Sequence, residues 1–73
     1  MKVYTNTGCS KCAMLKKWLD NKDFKYEEIN IGKNPDARDK LIENKRRSLP
    51  QVEVDGNFVD FEHYNDLLEY KGE

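Results

Sequence analysis

In the stretch Thr7-Gly8-Cys9-Ser10-Lys11-Cys12, two cysteines stand between a strand-like opening and a segment with helical periodicity. Cysteines at this spacing, at the start of a helix, can close into a disulfide and reopen. They are the only cysteines in the chain, so there is a single redox pair. The pattern predicts a thiol–disulfide oxidoreductase.

The first half of the chain is predicted to form a strand, a helix and a second strand. Residues 2–5 are predicted to form a short strand, and residues 24–31 alternate as a second strand should. Between them, Leu15, Trp18 and Leu19 lie on one face of a helix that begins near Ser10 and ends near residues 21–23. A strand, helix and strand of this length imply a parallel crossover.

The second half is predicted to continue with a helix, a hairpin and a last helix. Asn34 followed by Pro35 marks the start of a helix that reaches about Arg46. The apolar face of that helix is assigned to Ala37, Leu41 and Ile42. Residues 51–54 alternate as a strand, and the following Asp-Gly turn returns the chain through residues 57–59.

Asp60 is predicted to cap the last helix, which carries Phe61, Tyr64, Leu67 and Leu68 on one side. The order of elements therefore predicts one α/β domain over residues 1–73. Its core is a four-stranded mixed sheet, βαβ then ββα, flanked by three helices.

Acidic and basic side chains nearly balance, with 13 Lys and Arg against 14 Asp and Glu. A net charge of −1 gives no overall attraction to nucleic acid or to an anionic membrane. No stretch approaches the ~18 apolar residues of a membrane span, and the opening residues lack a signal-peptide core. A disulfide closing so short a loop would stabilise little, which favours a transient disulfide in a reducing compartment. We expect a cytoplasmic monomer without nucleic-acid or membrane partners.

The two cysteines are assigned different roles. Attack on a disulfide needs a thiolate, and a free cysteine, with a pKa of about 8.5, is mostly protonated at neutral pH. At a helix N-terminus, free N–H groups and the helix dipole favour an ionised Cys9, and Lys11 adds positive charge, as Lys16 does less directly. Gly8 allows a tight turn and leaves room for a partner's chain. Cys9 is therefore the predicted nucleophile and Cys12 the resolving thiol.

Two other functions compete with this assignment. A metal or iron–sulfur module would use Cys9 and Cys12 as ligands, but a mononuclear zinc site usually needs four ligands. The only other soft or imidazole donor is His63, so a metal would have to be shared across a dimer or take carboxylates. A non-enzymatic adaptor that kept the fold and lost turnover is the third possibility.

The chain resembles the glutaredoxin and NrdH-redoxin branch of the thioredoxin superfamily. The resemblance rests on Tyr4-Thr5, on the cysteine pair, and on Ser48-Leu49-Pro50-Gln51-Val52 before the hairpin. It implies that the Leu49–Pro50 bond is cis and lies beside the cysteines. It also implies that the Leu49 backbone pairs with the substrate, and that oxidised proteins, ribonucleotide reductase among them, are the partners. No bound cofactor is implied.

The resemblance leaves the source of electrons open between glutathione and thioredoxin reductase with NADPH. Many glutaredoxins carry a lysine where this chain has Asn6, and a Gly-Gly pair where it has Val59-Asp60-Phe61. Arg47 matches the basic residue often found before the proline motif, and could anchor a carboxylate. Asp60 could hold an amine of glutathione. The predicted substrate-binding residues are therefore Gly8, Lys11, Arg47, Leu49, Pro50 and Asp60.

Overall fold

A computed structural model describes residues 1–71 of the chain. The strands are β1 (Lys2–Thr5), β2 (Glu27–Asn30), β3 (Gln51–Val54) and β4 (Asn57–Val59). The helices are α1 (Ser10–Asn21), α2 (Pro35–Glu43) and a final 3₁₀ helix (Tyr64–Tyr70). These elements follow the predicted order.

The four strands form one mixed sheet in the order β2-β1-β3-β4. β1 pairs in parallel with β2, and β3 is antiparallel to both β1 and β4. The α/β fold predicted from the sequence, a four-stranded mixed sheet with three helices, is confirmed. Within residues 1–71, no helix is both long and apolar enough to cross a membrane.

Neighbouring residues of a strand point to opposite faces of the sheet, and helices pack on both faces. On one face, α1 and the 3₁₀ helix bury the larger cluster, made up of Val3, Leu15, Leu19, Phe24, Val52, Val54 and Leu67. On the other face, α2 packs Ala37 and Leu41 against Tyr4. Strand β3 is one of the two inner strands and is buried along its whole length. The alternation of its sequence therefore does not mark a solvent-facing side.

Both α-helices end in the same motif, with a residue in the left-handed region after the cap. At the end of α2, Lys45 has a φ of 59°, and its N–H donates to Ile42 O at 3.0 Å. The N–H of Arg46 then donates to Leu41 O at 2.8 Å. This is the bonding pattern of a Schellman motif. The helix therefore ends at Glu43, and the prediction that it continues to Arg46 is wrong.

The end of α1 explains why the second strand is shorter than predicted. Asp23 has a φ of 59°, and the N–H of Phe24 donates to Leu19 O at 3.0 Å. Phe24 also packs in the same cluster as Leu19, the hydrophobic contact that commonly accompanies this motif. Phe24 thus closes the helix, and the strand begins only at Glu27.

The last helix differs from the prediction at its start and in its type. It is a 3₁₀ helix that begins at Tyr64, and Asp60 does not cap it. Asp66 reaches back instead, and its carboxylate accepts the N–H groups of Glu62 at 3.1 Å and His63 at 3.2 Å. These backbone hydrogen bonds lower the pKa of Asp66.

Two residues assigned to apolar helix faces are exposed. Ile42 on α2 is 62% exposed, whereas Ala37 and Leu41 on the same helix are buried. Leu68 is also exposed, whereas Leu67 beside it is buried. The helices are short, and each places only a narrow stripe against the sheet.

Candidate active site

The sheet brings the cysteine pair and the proline motif to one edge. β1 and β3 are antiparallel, with Tyr4 opposite Gln51. The end of β1 and the beginning of β3 therefore lie at the same edge. The loop with Cys9 and Cys12 follows β1, and Leu49–Pro50 directly precedes β3. The Leu49–Pro50 peptide bond is cis, as the family resemblance implied.

A tight turn leads from β1 into the site. The N–H of Cys9 donates to Asn6 O at 3.3 Å, and Gly8, at the third position of the turn, has a φ of 80°. A turn with positive φ at that position favours glycine. The Asn6 side chain supports the turn, because its Oδ1 accepts the N–H of Thr7 at 2.8 Å. The predicted conformational role of Gly8 is confirmed.

Cys9 is the N-cap residue of α1. Its backbone is extended, and its Sγ accepts the N–H of Cys12 at 3.2 Å. The N–H of Ala13 donates to Cys9 O at 3.2 Å and begins the helix. A sulfur in this position receives a hydrogen bond from the positive end of the helix. The predicted placement of Cys9 at the helix N-terminus is confirmed, and this environment favours its thiolate when the pair is reduced.

Cys9 and Cys12 are joined by a disulfide, with their Cα atoms 5.3 Å apart. Cys12 is 2% exposed, whereas Cys9 is half-buried. The flanking Gly8 and Lys11 are exposed. A partner approaching this edge therefore has better access to Cys9 than to Cys12.

A groove of about 570 Å³ runs beside the site. Its lining includes Lys11, Leu49, Pro50 and Asp60, so the structure brings these four predicted substrate-binding residues together. Gly8 and Arg47 are not part of this lining. Arg47 lines a separate cavity, which shares Leu49 with the groove.

Met14 also lines the groove and is 61% exposed. The sequence analysis did not assign it to the site. The signal was its position, because Met14 lies off the face formed by Leu15, Trp18 and Leu19. Phe61 and Tyr64 also line the groove and add aromatic surface to it.

Asp60 forms an ion pair with Arg46, which follows α2. The Arg46 guanidinium also lies over the Phe58 ring, 5.3 Å from its centroid. The Asp60 carboxylate is thus held by a side chain of this protein. The prediction that Asp60 caps the last helix is wrong. The Asp60 carboxylate pairs with Arg46, and the N–H of His63 at the start of the helix donates to the Asp66 carboxylate instead.

A buried polar group on β3 ties α2 to the sheet. Glu53 is 3% exposed, and its carboxylate accepts hydrogen bonds from Tyr4 Oη at 2.8 Å and Lys40 Nζ at 2.7 Å. Burial raises the pKa of Glu53, but the hydrogen bonds from Lys40 and Tyr4 outweigh that effect and hold it below its usual value. Burial and the contact with Glu53 raise the pKa of Tyr4. Sequence reasoning missed this cluster because Glu53 occupies the polar position of an alternating strand.

Lys16 does not add free positive charge near the cysteines. Its Nζ lies 2.9 Å from the Glu28 carboxylate, which also accepts the Thr5 hydroxyl at 2.8 Å. The hydrogen bonds from Lys16 and then Thr5 lower the pKa of Glu28. Because its charge is balanced by Glu28, Lys16 contributes little to the potential at Cys9.

Within residues 1–71, no three side chains from His, Cys, Asp and Glu gather into a group that could hold a metal ion.

Comparison with known proteins agrees with the fold and with the cysteine pair. The glutaredoxin family model matches residues 1–59. The glutaredoxin-like protein NrdH of Lactococcus lactis subsp. lactis is 38% identical over 53 residues, which cover 73% of this chain and 74% of that protein. Glutaredoxin 1 of Rickettsia bellii is 36% identical, covering 78% of this chain and 63% of that protein.

Among solved structures, the thioredoxin-like protein BC3987 superposes with a TM-score of 0.77 and 30% identity, covering 93% of this chain and 94% of that one. The family match and the relatives agree with the Cys-X-X-Cys pair at the start of α1. The chain belongs to the glutaredoxin family, in the branch that includes the NrdH proteins, and it is a thiol–disulfide oxidoreductase.

Proposed function

We propose that Cys9 is the nucleophile and Cys12 the resolving thiol in the reduction of protein disulfides. The thiolate of Cys9 attacks one sulfur of the substrate disulfide, forms a mixed disulfide and releases the other substrate sulfur as a thiolate. Cys12 then loses its proton and attacks Cys9 Sγ, which releases the second substrate sulfur. The protein ends with the Cys9–Cys12 disulfide, and the substrate has gained two electrons and two protons.

The observation that carries this assignment is the contrast between the two sulfurs. Cys9 is the helix N-cap, and its Sγ accepts the N–H of Cys12, which favours a thiolate. Cys12 is buried behind it, and in that position it can attack a mixed disulfide on Cys9 but is shielded from the substrate.

Trapping experiments test the two roles separately. The Cys12→Ser variant should accumulate a mixed disulfide with an oxidised substrate peptide, seen as an added peptide mass that is lost with dithiothreitol. Cys9→Ser should form no adduct and should have no reductase activity. Adducts on Cys12 in the Cys9→Ser variant, formed as fast as those on Cys9 in Cys12→Ser, would contradict the assignment.

For the source of electrons, we propose thioredoxin reductase with NADPH rather than glutathione. Two observations support this choice. Asn6, at the position of the glutaredoxin lysine, has its side chain engaged in the turn before Cys9. Asp60 is paired with Arg46, so the amine of glutathione would have to compete with Arg46 for this carboxylate.

The test supplies the oxidised protein with each reductant system in turn and follows NADPH at 340 nm. Thioredoxin reductase should drive the reduction of an insulin disulfide, and glutathione with glutathione reductase should drive it much more slowly. Equal or faster turnover with glutathione would overturn this part of the proposal and leave the roles of the cysteines intact. The Cys9→Ser variant gives the background rate in both systems.

We further propose that ribonucleotide reductase is one of the oxidised proteins this chain reduces, an expectation that rests on its similarity to NrdH proteins. A single-turnover assay with oxidised ribonucleotide reductase and the reduced protein would test it. We expect ribonucleotide reductase to form its product without added dithiothreitol. If no product forms although the same protein preparation reduces insulin, ribonucleotide reductase is not a substrate.

We also propose that the protein is a cytoplasmic monomer of one domain with no bound cofactor. The competing metal module predicts a dimer that carries an ion between its cysteine pairs. Size-exclusion chromatography with light scattering, together with metal analysis of freshly purified protein, separates the two. A dimer with a stoichiometric metal that is lost in Cys9→Ser would favour the metal module.

A further inference from the structure

A second cavity beside the site combines arginines with aliphatic side chains. We call it the arginine pocket, and its volume is about 220 Å³. It is lined by Arg38, Arg46 and Arg47 together with aliphatic residues that include Ile31, Ile42 and Leu49. None of the described residues that line it is acidic, although the chain as a whole has a net charge of −1.

Two of the three arginines have guanidinium groups available for a partner. Arg46 is occupied by Asp60 and by the Phe58 ring. Arg38 and Arg47 are exposed, and neither forms an ion pair with any residue between 1 and 71. A guanidinium binds a carboxylate through two parallel hydrogen bonds, so an unpaired pair of them favours an acidic ligand.

The aliphatic part of the pocket adds a second requirement. Ile42 is 62% exposed, and Ile31 and Leu49 are half-buried. Covering aliphatic surface stabilises a complex by roughly 25 cal/mol for each Å² removed from water. A ligand with a carboxylate next to an aliphatic side chain would satisfy both the arginines and this surface.

The position of the pocket connects it to the substrate path. Leu49 lines both the arginine pocket and the groove beside the cysteines. A substrate strand that pairs with the Leu49 backbone would be extended, and its alternate side chains would point in opposite directions. Such a strand would place its cysteine towards Cys9 and a flanking residue towards the pocket.

We propose that the arginine pocket selects protein substrates whose disulfide is flanked by an acidic residue next to an aliphatic one. This inference rests on the proposed function, since it assigns a substrate class to the same site. Arg38 and Arg47 are the specificity-determining residues, and Ile42 supplies aliphatic contact.

The test compares synthetic peptides that form disulfide-linked dimers and differ at one position close to the cysteine. The variable position is Glu, Gln or Lys next to a leucine, placed before the cysteine in one set and after it in another. Reduced protein is mixed with excess peptide dimer, and the single-turnover rate is measured without any reductase. In the preferred orientation, the Glu peptide should react about tenfold faster than the Lys peptide, as expected for hydrogen bonds between charged groups.

Arg38→Glu is the test variant, and Lys25→Glu is its matched control. Lys25 is exposed and precedes β2, at the end of the sheet away from the cysteines. Lys25→Glu changes the net charge by the same amount as Arg38→Glu. Arg38→Glu should reverse the preference towards the Lys peptide, and Lys25→Glu should keep the preference for Glu. Arg47→Glu provides a second, independent variant of the pocket.

The outcomes separate this inference from the proposed function. If no peptide is reduced, the proposed function fails. If all three peptides react at equal rates, or if Lys25→Glu changes the preference as much as Arg38→Glu does, the arginine pocket does not select substrates. If oxidised glutathione reacts faster than every peptide and Arg38→Glu slows that reaction, the pocket holds the carboxylate of a small-molecule disulfide, and the inference is overturned.

Discussion

Gly32 lies directly against the side chain of Asn6. A Cβ atom at Gly32 would be 2.6 Å from Oδ1 of Asn6, the atom that accepts the N–H of Thr7. Asn30 joins the same group, because its Nδ2 donates to the Thr7 hydroxyl at 3.1 Å and its Oδ1 accepts the N–H of Gly32 at 2.9 Å. The loop after β2 therefore supports the turn that carries Cys9.

The substitution Gly32→Ala should move the Asn6 side chain and break its hydrogen bond to Thr7. We expect the free energy of unfolding to fall by about 1 kcal/mol, the typical net value of a hydrogen bond. In an Asn6→Ala background the added methyl group meets no oxygen of Asn6, so Gly32→Ala should cost less there. Urea unfolding of the four proteins of this double-mutant cycle measures the coupling. Equal effects of Gly32→Ala in both backgrounds would contradict the contact.

Replacing Lys45 with glycine should stabilise the protein. Lys45 holds the left-handed position that ends α2, and for residues other than glycine this conformation costs roughly 1 kcal/mol. The expected gain is about 1 kcal/mol, measured by urea unfolding. The matched control is Asn44→Gly, since Asn44 has a φ of −91° and gains nothing from glycine. A loss of stability in Lys45→Gly as large as in the control would show that the backbone of residue 45 is not strained.

Glu53→Gln should destabilise the protein at neutral pH. The substitution removes the charge that accepts hydrogen bonds from Tyr4 and Lys40, and hydrogen bonds to charged groups contribute roughly 1.5 to 3 kcal/mol. The folded-state pKa of Glu53 is lowered from 4.5, so the unfolded chain binds the proton more tightly. The contribution of Glu53 is therefore fully present above pH 4.5 and is lost as the pH falls through the folded-state pKa.

Urea unfolding of the wild type and Glu53→Gln from pH 7 to pH 3 checks this dependence. The difference between the two proteins should narrow below pH 4.5. The control is Glu27→Gln, because Glu27 is exposed on β2 and should change stability little at any pH. A difference between wild type and Glu53→Gln that stays constant over the range would show that Glu53 has the same pKa in both states.

The N-cap role of Cys9 predicts a difference between two inactive variants. A serine hydroxyl at residue 9 can still accept the N–H of Cys12, whereas an alanine leaves that group without its acceptor. Cys9→Ser should therefore be more stable than Cys9→Ala by about 1 kcal/mol. Both lack the disulfide, so urea unfolding under reducing conditions compares them directly. Equal stabilities would mean that the cap does not support α1.

The main elements of the fold could be predicted from local patterns, whereas the ends of the helices could not. The helix after Cys9, the Asn34–Pro35 start and the Asp55–Gly56 turn are all signalled by neighbouring residues. The end of α2 at Glu43 is not, since Lys45 has no sequence mark of a left-handed residue and glycine or asparagine would be the usual choice.

The site shows the same division. Cys9 and Cys12 are identified by their spacing, and Pro50 by the resemblance of its motif to that of glutaredoxins. The partner of Asp60 was missed because Arg46 comes from a different element and meets it only across Phe58. The arginine pocket was missed as a pocket for the same reason: Arg38 and Arg47 are separated by the end of α2 and come together only in three dimensions.

The position of β1 in the middle of the sheet has a consequence for biosynthesis. Both thiols leave the ribosome before β3 does, and until β3 emerges β1 can pair only with β2. The second neighbour of β1, together with the Leu49–Pro50 wall of the site, emerges later. Until then the nascent chain carries two cysteines without the surface that selects their partners, so competence for specific exchange is acquired only when Leu49–Pro50 and β3 have been made.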